Sequence, residues 1–319
     1  MSNKPAGLSN DPLWPRAGGW PSPDDIAPGK RIDAALVGIP ASQTSLSATN
    51  AHETPDAIRA ALFRYSPALM QDRGVLDKNL RNDPAIIDLE ELTVADFGNV
   101  TDPDSPAGEA RTIALMADAA KASELVIALG GDNSITVAAA LGVWGSDLET
   151  AGLITLDAHY DLRDGVSNGS PVRRLIEAGM NPDRIVQIGI QDFANSASYA
   201  RRAHELGITV IHRDDLERRS MADVMAEALS IAGSAGGPIH VDLDVDVCDR
   251  AVAPACPASV PGGISAYELR QASRAAGKHP QVHSIDLAEI DATMDAPDGR
   301  TIRLAALCVL EAVAGLSQR

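Results

Sequence analysis

Strand-length apolar runs alternate with segments of helical spacing along most of this chain, and that alternation predicts an α/β fold built on a mostly parallel sheet with helices on both faces. Two further observations support it. Short apolar runs bounded by glycine, such as 125–129 ahead of Gly130-Gly131 and 153–156 after Gly152, read as buried strands. Hydrophobic residues make up 45% of 319 positions, enough for a large core, while aromatics make up only 3%, so alanine and aliphatic side chains must fill it.

In chain order, residues 1–30 are rich in Pro, Gly and Asp and carry Trp14 and Trp20, which reads as an irregular arm packed down by its tryptophans. Residues 31–319 show no internal repeat, charge block or linker and read as one domain. A strand over 34–39 is stopped by Pro40, and after a polar loop Thr54-Pro55-Asp56 opens a helix with proline in its first turn. Strands follow over 85–89 and 92–98, then a helix over 107–122 and the strand over 125–129. The next elements are a helix over 135–143, strands over 153–156 and 184–190, a helix over 196–206 and a strand over 208–211. The chain closes with a helix over 221–232, a strand over 239–243, a helix over 266–276, a strand over 282–287 and a helix over 301–316.

Charge narrows the function. With 27 basic against 44 acidic residues the net charge is −17, so nucleic acid is excluded as a partner for want of a basic face. Cys248, Cys256 and Cys308 are odd in number and match no CxxC spacing, which argues against a disulfide framework. Met1 to Pro5 lack the apolar core of a signal peptide, and no apolar run nears the roughly 20 residues of a membrane helix. A soluble cytoplasmic protein with no membrane partner is expected.

In such sheets, chemistry gathers where strands end at their carboxyl edge. The strand over 153–156 runs into Asp157-Ala158-His159-Tyr160-Asp161, whose three polar side chains, spaced by two, face one side as the strand leaves the sheet. That set suits a hard or borderline divalent cation. Asp242-Leu243-Asp244-Val245-Asp246 taken alone reads equally well as a strand-end turn with solvated aspartates. Beside the first motif, its like charges call for bridging cations, and two acid-rich edges suit a pair of ions about 3.5–4 Å apart with a shared water acting as hydroxide. Gly130-Gly131-Asp132-Asn133-Ser134 and Asp286-Leu287-Ala288-Glu289 end two further strands.

Three ordered motifs, Asp157-x-His159-x-Asp161, Asp244-x-Asp246 with Asp249 downstream, and Glu289, resemble the ureohydrolase superfamily of arginases, agmatinases and formimidoylglutamases, from about residue 30 to the end. The resemblance implies a three-layer α/β/α arginase-like fold around a mostly parallel sheet of about eight strands. It also implies two Mn²⁺ ions, a bridging hydroxide that cleaves a guanidino or formimidoyl C–N bond, and a homo-oligomer. Carried over by position, Asp157 and Asp244 would bridge the metals, His159 and Asp246 would complete one, and Asp161 would serve the other. Asp161 and Glu289 would be catalytic, Glu289 pairing with the substrate's cationic amidine, and Asp249 would be a supporting carboxylate. One position departs: the histidine of the family's Gly-Gly-Asp-His motif is Asn133, a weak or absent ligand, so the second metal is expected to bind less tightly or to draw on Asp132.

Residues 161–175 bear on the substrate. The histidine that shuttles protons in arginases and agmatinases is Asn168, which cannot titrate near neutral pH. Ser167-Asn168-Gly169-Ser170-Pro171-Val172-Arg173-Arg174, Phe193-Ala194-Asn195-Ser196 and Cys256-Pro257-Ala258 resemble formimidoylglutamases. The expected reaction is hydrolysis of N-formimidoyl-L-glutamate to L-glutamate and formamide, a step of histidine degradation. Arg163, Arg173 and Arg174 offer planar forks for the substrate's carboxylates, with Asn168 and Glu289 completing the binding set. Arg173 and Arg174 read equally as helix-surface charges. The proton for the leaving amine comes from Asp161 or water. The remaining histidines lack ligand spacing and read mostly as structural or solvated, although His52 lies in a loop that could border the site, and Cys248 reads as packing. The rivals are an agmatinase or guanidino-acid amidinohydrolase releasing urea, and a non-catalytic binding protein.

Overall fold

The computed structural model describes residues 7–70 and 86–319. In chain order the elements are β1 (Ile32–Ile39), α1 (Thr54–Leu62), β2 (Ala68–Met70), β3 (Ile86–Asp88), β4 (Val94–Asn99) and α2 (Pro106–Ala122). Next come β5 (Ser123–Gly130), α3 (Ile135–Trp144), β6 (Gly152–Leu156), α4 (Pro171–Ala178), β7 (Ile185–Ile190) and α5 (Ala197–Leu206). The last are β8 (Thr209–His212), α6 (Met221–Ala232), β9 (Ile239–Asp244), α7 (Ala266–Lys278), β10 (Val282–Ala288) and α8 (Arg300–Leu316). Local sequence sets the helix starts. Proline occupies the first turn of α1, α2 and α4, and Ser105, Ser196, Ser220 and Ser265 cap α2, α5, α6 and α7 by accepting a backbone N–H three residues on.

Eight strands form one sheet in the order β4-β1-β5-β10-β9-β6-β7-β8, every neighbouring pair parallel. Strand alternation divides the core into two faces. Leu36 of β1 belongs to the core shared with α1, α6, α7 and α8. Val37 and Ile39 instead pack with Met116 of α2 and Ala139 of α3. Farther along that second face, Leu153 and Ile185 pack with Trp144 of α3, Leu175 of α4 and Ala203 of α5. The three-layer α/β/α arrangement expected from the sequence is therefore the observed one.

The apolar packing on the second face is interrupted at the middle of the sheet. There β10 and β9 present Ser284, Asp286, His240 and Asp242, all fully buried. His240 satisfies both of its ring nitrogens in this strip, with Ser284 Oγ 2.7 Å from Nδ1 and Asp286 Oδ2 3.0 Å from Nε2. The edge of Trp144 closes over it, ring centres 6.3 Å apart.

Three expectations are refined. The strand expected over 85–89 is β3, which pairs antiparallel with β2 rather than joining the main sheet; Ala85 lies outside the described residues, as do Met1 to Pro5. Residues 171–178, read within a substrate loop, form α4, which carries the crossover from β6 to β7. The N-terminal arm is held by buried Ala17, whose N–H reaches Tyr65 O at 2.9 Å, and by Trp20 packed on the core, while Trp14 stays half exposed. No helix among the described residues is long and apolar enough to cross a membrane.

Candidate metal centre and its cavity

The singled-out side chains leave one edge of four adjacent strands, β5, β10, β9 and β6. At two of them the same local device turns the chain. Asp157 Oδ1 accepts the N–H of His159 (2.7 Å), and Asp244 Oδ1 accepts the N–H of Asp246 (2.9 Å). The motifs then lock together, since Asp246 Oδ1 accepts the N–H of Ala158 (3.1 Å) and His159 Nδ1 lies 2.9 Å from Asp246 Oδ2 and 3.3 Å from Asp157 Oδ1. Ligand-type atoms of Asp157, His159 and Asp246 lie within 4.8 Å of one another. Asp161 and Glu289 complete the strand ends in left-handed backbone, φ +52° and +63°, a conformation that costs a non-glycine residue about 1–3 kcal/mol and is held where the surroundings fix it.

Burial, then mutual repulsion, pushes the Asp157 carboxyl up to about 6 and those of Asp161 and Asp244 well above the usual range. Glu289 is pushed up to about 7, again chiefly by burial, against the hydrogen bonds it accepts. Burial opposes charge on His159, yet the Asp246 and Asp157 carboxylates override it and hold the imidazolium up to about 12; His159 in turn holds Asp246 low despite burial. The cluster is short of positive charge, and Asp157 Oδ2 is buried with no hydrogen-bond partner. A divalent cation would satisfy both deficits, and the donors, carboxylate oxygens with one imidazole, suit a hard to borderline ion such as Mn²⁺.

A cavity of about 230 Å³ opens beside the cluster and brings His159, Asp161, Asp244, Asp246 and Glu289 together with Arg163 and Asn168. Asn133 lies beneath as a hydrogen-bond donor. Its Nδ2 donates to Asp161 Oδ2 (2.7 Å), its Oδ1 accepts from the Thr136 hydroxyl (2.9 Å), and its main-chain N–H donates to Glu289 Oε2 (3.0 Å). The amide oxygen is thus occupied by Thr136. Asp132 gives one oxygen to the Ser134 N–H and hydroxyl, its Oδ2 is buried with no hydrogen-bond partner, and the side chain does not line the cavity. Gly131 is needed because a Cβ there would lie 2.1 Å from Ala41 O, where the 41–47 loop crosses the strand end.

Asn168 Nδ2 donates to both Glu289 oxygens (2.9 and 3.0 Å) and its Oδ1 accepts the N–H of Leu46 (3.0 Å), so it aims the glutamate and fastens the loop above it. Arg163 lines the cavity, whereas Arg173 and Arg174, expected beside it, do not. On α4 each meets protein partners of its own: Arg173 pairs with Glu177 and donates to Arg163 O and Gly165 O, while Arg174 reaches both oxygens of Glu109 at 2.8 Å. Asp249 closes its own loop, accepting the N–H groups of Ala251 and Gly262 at 2.7 Å. His52 does not line the cavity, and all three cysteines are buried and free.

Two contributors had no role in the sequence reading. Asn195 Oδ1 accepts the N–H of Tyr160 (3.1 Å) and its Nδ2 donates to Ala158 O (2.8 Å), stapling the 157–161 turn. Tyr199 lines the cavity beside Arg163. The Phe193-to-Ser196 motif pointed to Asn195 without showing what it does, and Tyr199 carries no spacing signal, so the fold is what reveals either role.

The family model for the arginase family matches residues 32–315. The chain is 34% identical over 297 residues to the formimidoylglutamase of Halalkalibacterium halodurans, covering 90% of this chain and 88% of that one. Among solved structures, the formimidoylglutamase of Bacillus subtilis superposes with a TM-score of 0.83 at 26% identity, covering 98% of this chain and 95% of that one. A formiminoglutamase of Trypanosoma cruzi solved with Mn²⁺ gives a TM-score of 0.78 at 22% identity, over 90% of this chain and 94% of that one, a likeness of fold.

Proposed function

The chain belongs to the arginase family, and from that premise we propose that it hydrolyses N-formimidoyl-L-glutamate to L-glutamate and formamide in a Mn²⁺-dependent reaction. One observation carries the reading: a single cavity joins the acidic cluster and Glu289 to an arginine, Arg163, that makes no ion pair with a carboxylate among the described residues. Asp157, His159 and Asp246 would hold one ion. Asp161 and Asp244 would contribute to a second, left weaker because Asn133 offers Asp161 a hydrogen bond instead of offering the metal an imidazole. When bound, the metal supplies the Lewis acidity that lets water act as a nucleophile near neutral pH.

The protein's own groups do the rest. Glu289, aimed by Asn168 and the N–H of Asn133, pairs with the amidinium and presents the formimidoyl carbon. Water adds to that carbon, the bond to the glutamate nitrogen breaks, and this nitrogen takes up a proton. Asp161, which lines the cavity, or water would pass that proton, a task the Asn168 amide cannot perform.

A Mn²⁺-supplemented assay of formimidoylglutamate against agmatine, arginine and 4-guanidinobutyrate tests the proposal. Formamide release from the first is expected. Preferential urea release from agmatine would establish the amidinohydrolase alternative, and no turnover of any substrate would favour the non-catalytic reading.

A further inference from the structure

Arg163 lies in a slot. Its stem passes over Gly169, where a Cβ would come within 2.7 Å of Arg163 Cδ and 3.2 Å of its Nε. Its guanidinium carbon stands 6.0 Å from the centre of the Tyr199 ring, and the same ring carries Arg202 at 5.7 Å. Arg202 engages the carboxylate next to Arg163 in sequence: Nη1 is 2.9 Å from Asp164 Oδ1 and also donates to Leu162 O at 2.6 Å. Among the described residues the Arg163 guanidinium has no hydrogen bond or ion pair of its own.

We infer that Arg163 is a preorganised receptor for a substrate carboxylate, and that Gly169, Tyr199 and Arg202 are its positioning residues. Gly169 leaves room for the stem, the Tyr199 ring gives the guanidinium a neighbour in cation–π range, and Arg202 keeps Asp164 from pairing with it. The inference rests on the proposed amidine hydrolysis and deepens it to a substrate class: amidines or guanidines bearing a carboxylate rather than a second cation. The need for such a device is electrostatic. A chain of net charge −17 repels an anion at long range, and apart from Arg163 and His159 the charged residues lining the cavity, Asp161, Asp244, Asp246 and Glu289, are acidic. A planar fork already confined beside a ring also loses less freedom when it donates bidentately to a carboxylate.

The test is a pair of double-mutant cycles in the full chain loaded with Mn²⁺. KM and kcat are measured for formimidoylglutamate and 4-guanidinobutyrate with agmatine as the cationic control, and L-glutamate binding is measured by calorimetry. Gly169→Ala should raise KM for the carboxylated compounds about fivefold with kcat changed less than about twofold, and should add nothing once Arg163→Met has raised KM about tenfold or more. Arg202→Met should raise KM about threefold, and adding Asp164→Asn should restore it. An unchanged KM in Arg163→Met, an equal Gly169→Ala effect in both backgrounds, or no rescue by Asp164→Asn would overturn the inference. Should formimidoylglutamate not be turned over, the proposed reaction fails, while L-glutamate binding across the same variants still reads the slot.

Discussion

Asn133 and Asn168 are amides at positions where relatives of arginase carry metal-binding and proton-carrying histidines, and in this structure each donates to a carboxylate of the site, Asp161 and Glu289. Replacing Asn133 by histidine removes that donor and offers a nitrogen ligand. Tight Mn²⁺ occupancy, read by elemental analysis after desalting, should rise from about one toward two ions per chain, and affinity at the weaker position should rise tenfold or more. Two tightly held ions in the unaltered protein would sink the weak-site reading. Asn168→Ala frees Glu289 and unfastens the loop at Leu46, so kcat/KM for formimidoylglutamate should fall about 10- to 100-fold with little change in metal content. At this scale the grouping of Asp157, His159 and Asp246 was legible because Asp-x-His-x-Asp and Asp-x-Asp at adjoining strand ends crowd together carboxylates that repel one another unless a cation bridges them. What each amide does was not legible. Nothing in the order of residues shows that Thr136 takes the Asn133 oxygen, or that Glu109 and Glu177 engage Arg174 and Arg173.

Strands β9 and β10 carry the metal-centre residues at their ends and a buried polar strip in their middles. The strip is a structural commitment, because His240 is the hydrogen-bond partner that the fully buried Asp286 Oδ2 has among the described residues. His240→Ala should leave that carboxylate unpaired and open a cavity against Trp144. A loss on the order of 3–5 kcal/mol is expected from urea denaturation. Loss below about 1 kcal/mol would show that water or a proton substitutes for the imidazole. Apolar strands such as β5 and the serine- and proline-marked helix starts were readable from sequence, since buried parallel strands and capped helices leave local signatures. Helix α4 was not, because it is only eight residues long and follows a loop whose polar composition masks its start at Pro171. The polar strip escaped for a different reason: His240 and Ser284 are 44 residues apart and become neighbours only through the sheet order.

Across the whole molecule, concentrated buried acidity makes stability depend on pH and on metal in a definite direction. Glu289 moves from 4.5 in an unfolded chain to about 7, and Asp157 from 3.8 to about 6. Between those limits the folded state holds a proton that the unfolded state has released, so raising the pH favours unfolding. Each shift corresponds to roughly 3 kcal/mol, and the two overlap because both include repulsion from Asp246. His159, held up to about 12, acts in the same sense at higher pH: its stabilisation is complete below its ordinary value of 6.5 and is lost as pH rises toward 12. Below about pH 4 the trend reverses, since Asp246, Asp249 and Asp291 are held low in the fold and lose stabilising partners when protonated. The metal-free protein should therefore melt at progressively lower temperature from pH 5 to pH 8. Mn²⁺ must displace protons from these same side chains and stabilises the fold by binding only there, so the rise in Tm on adding excess Mn²⁺ should be larger at pH 8 than at pH 5. Thermal melts of chelator-treated protein at both pH values, with and without Mn²⁺, measure this directly. An increment equal at the two pH values, or larger at pH 5, would mean that the stabilising ion is bound somewhere other than the Asp157, His159 and Asp246 cluster.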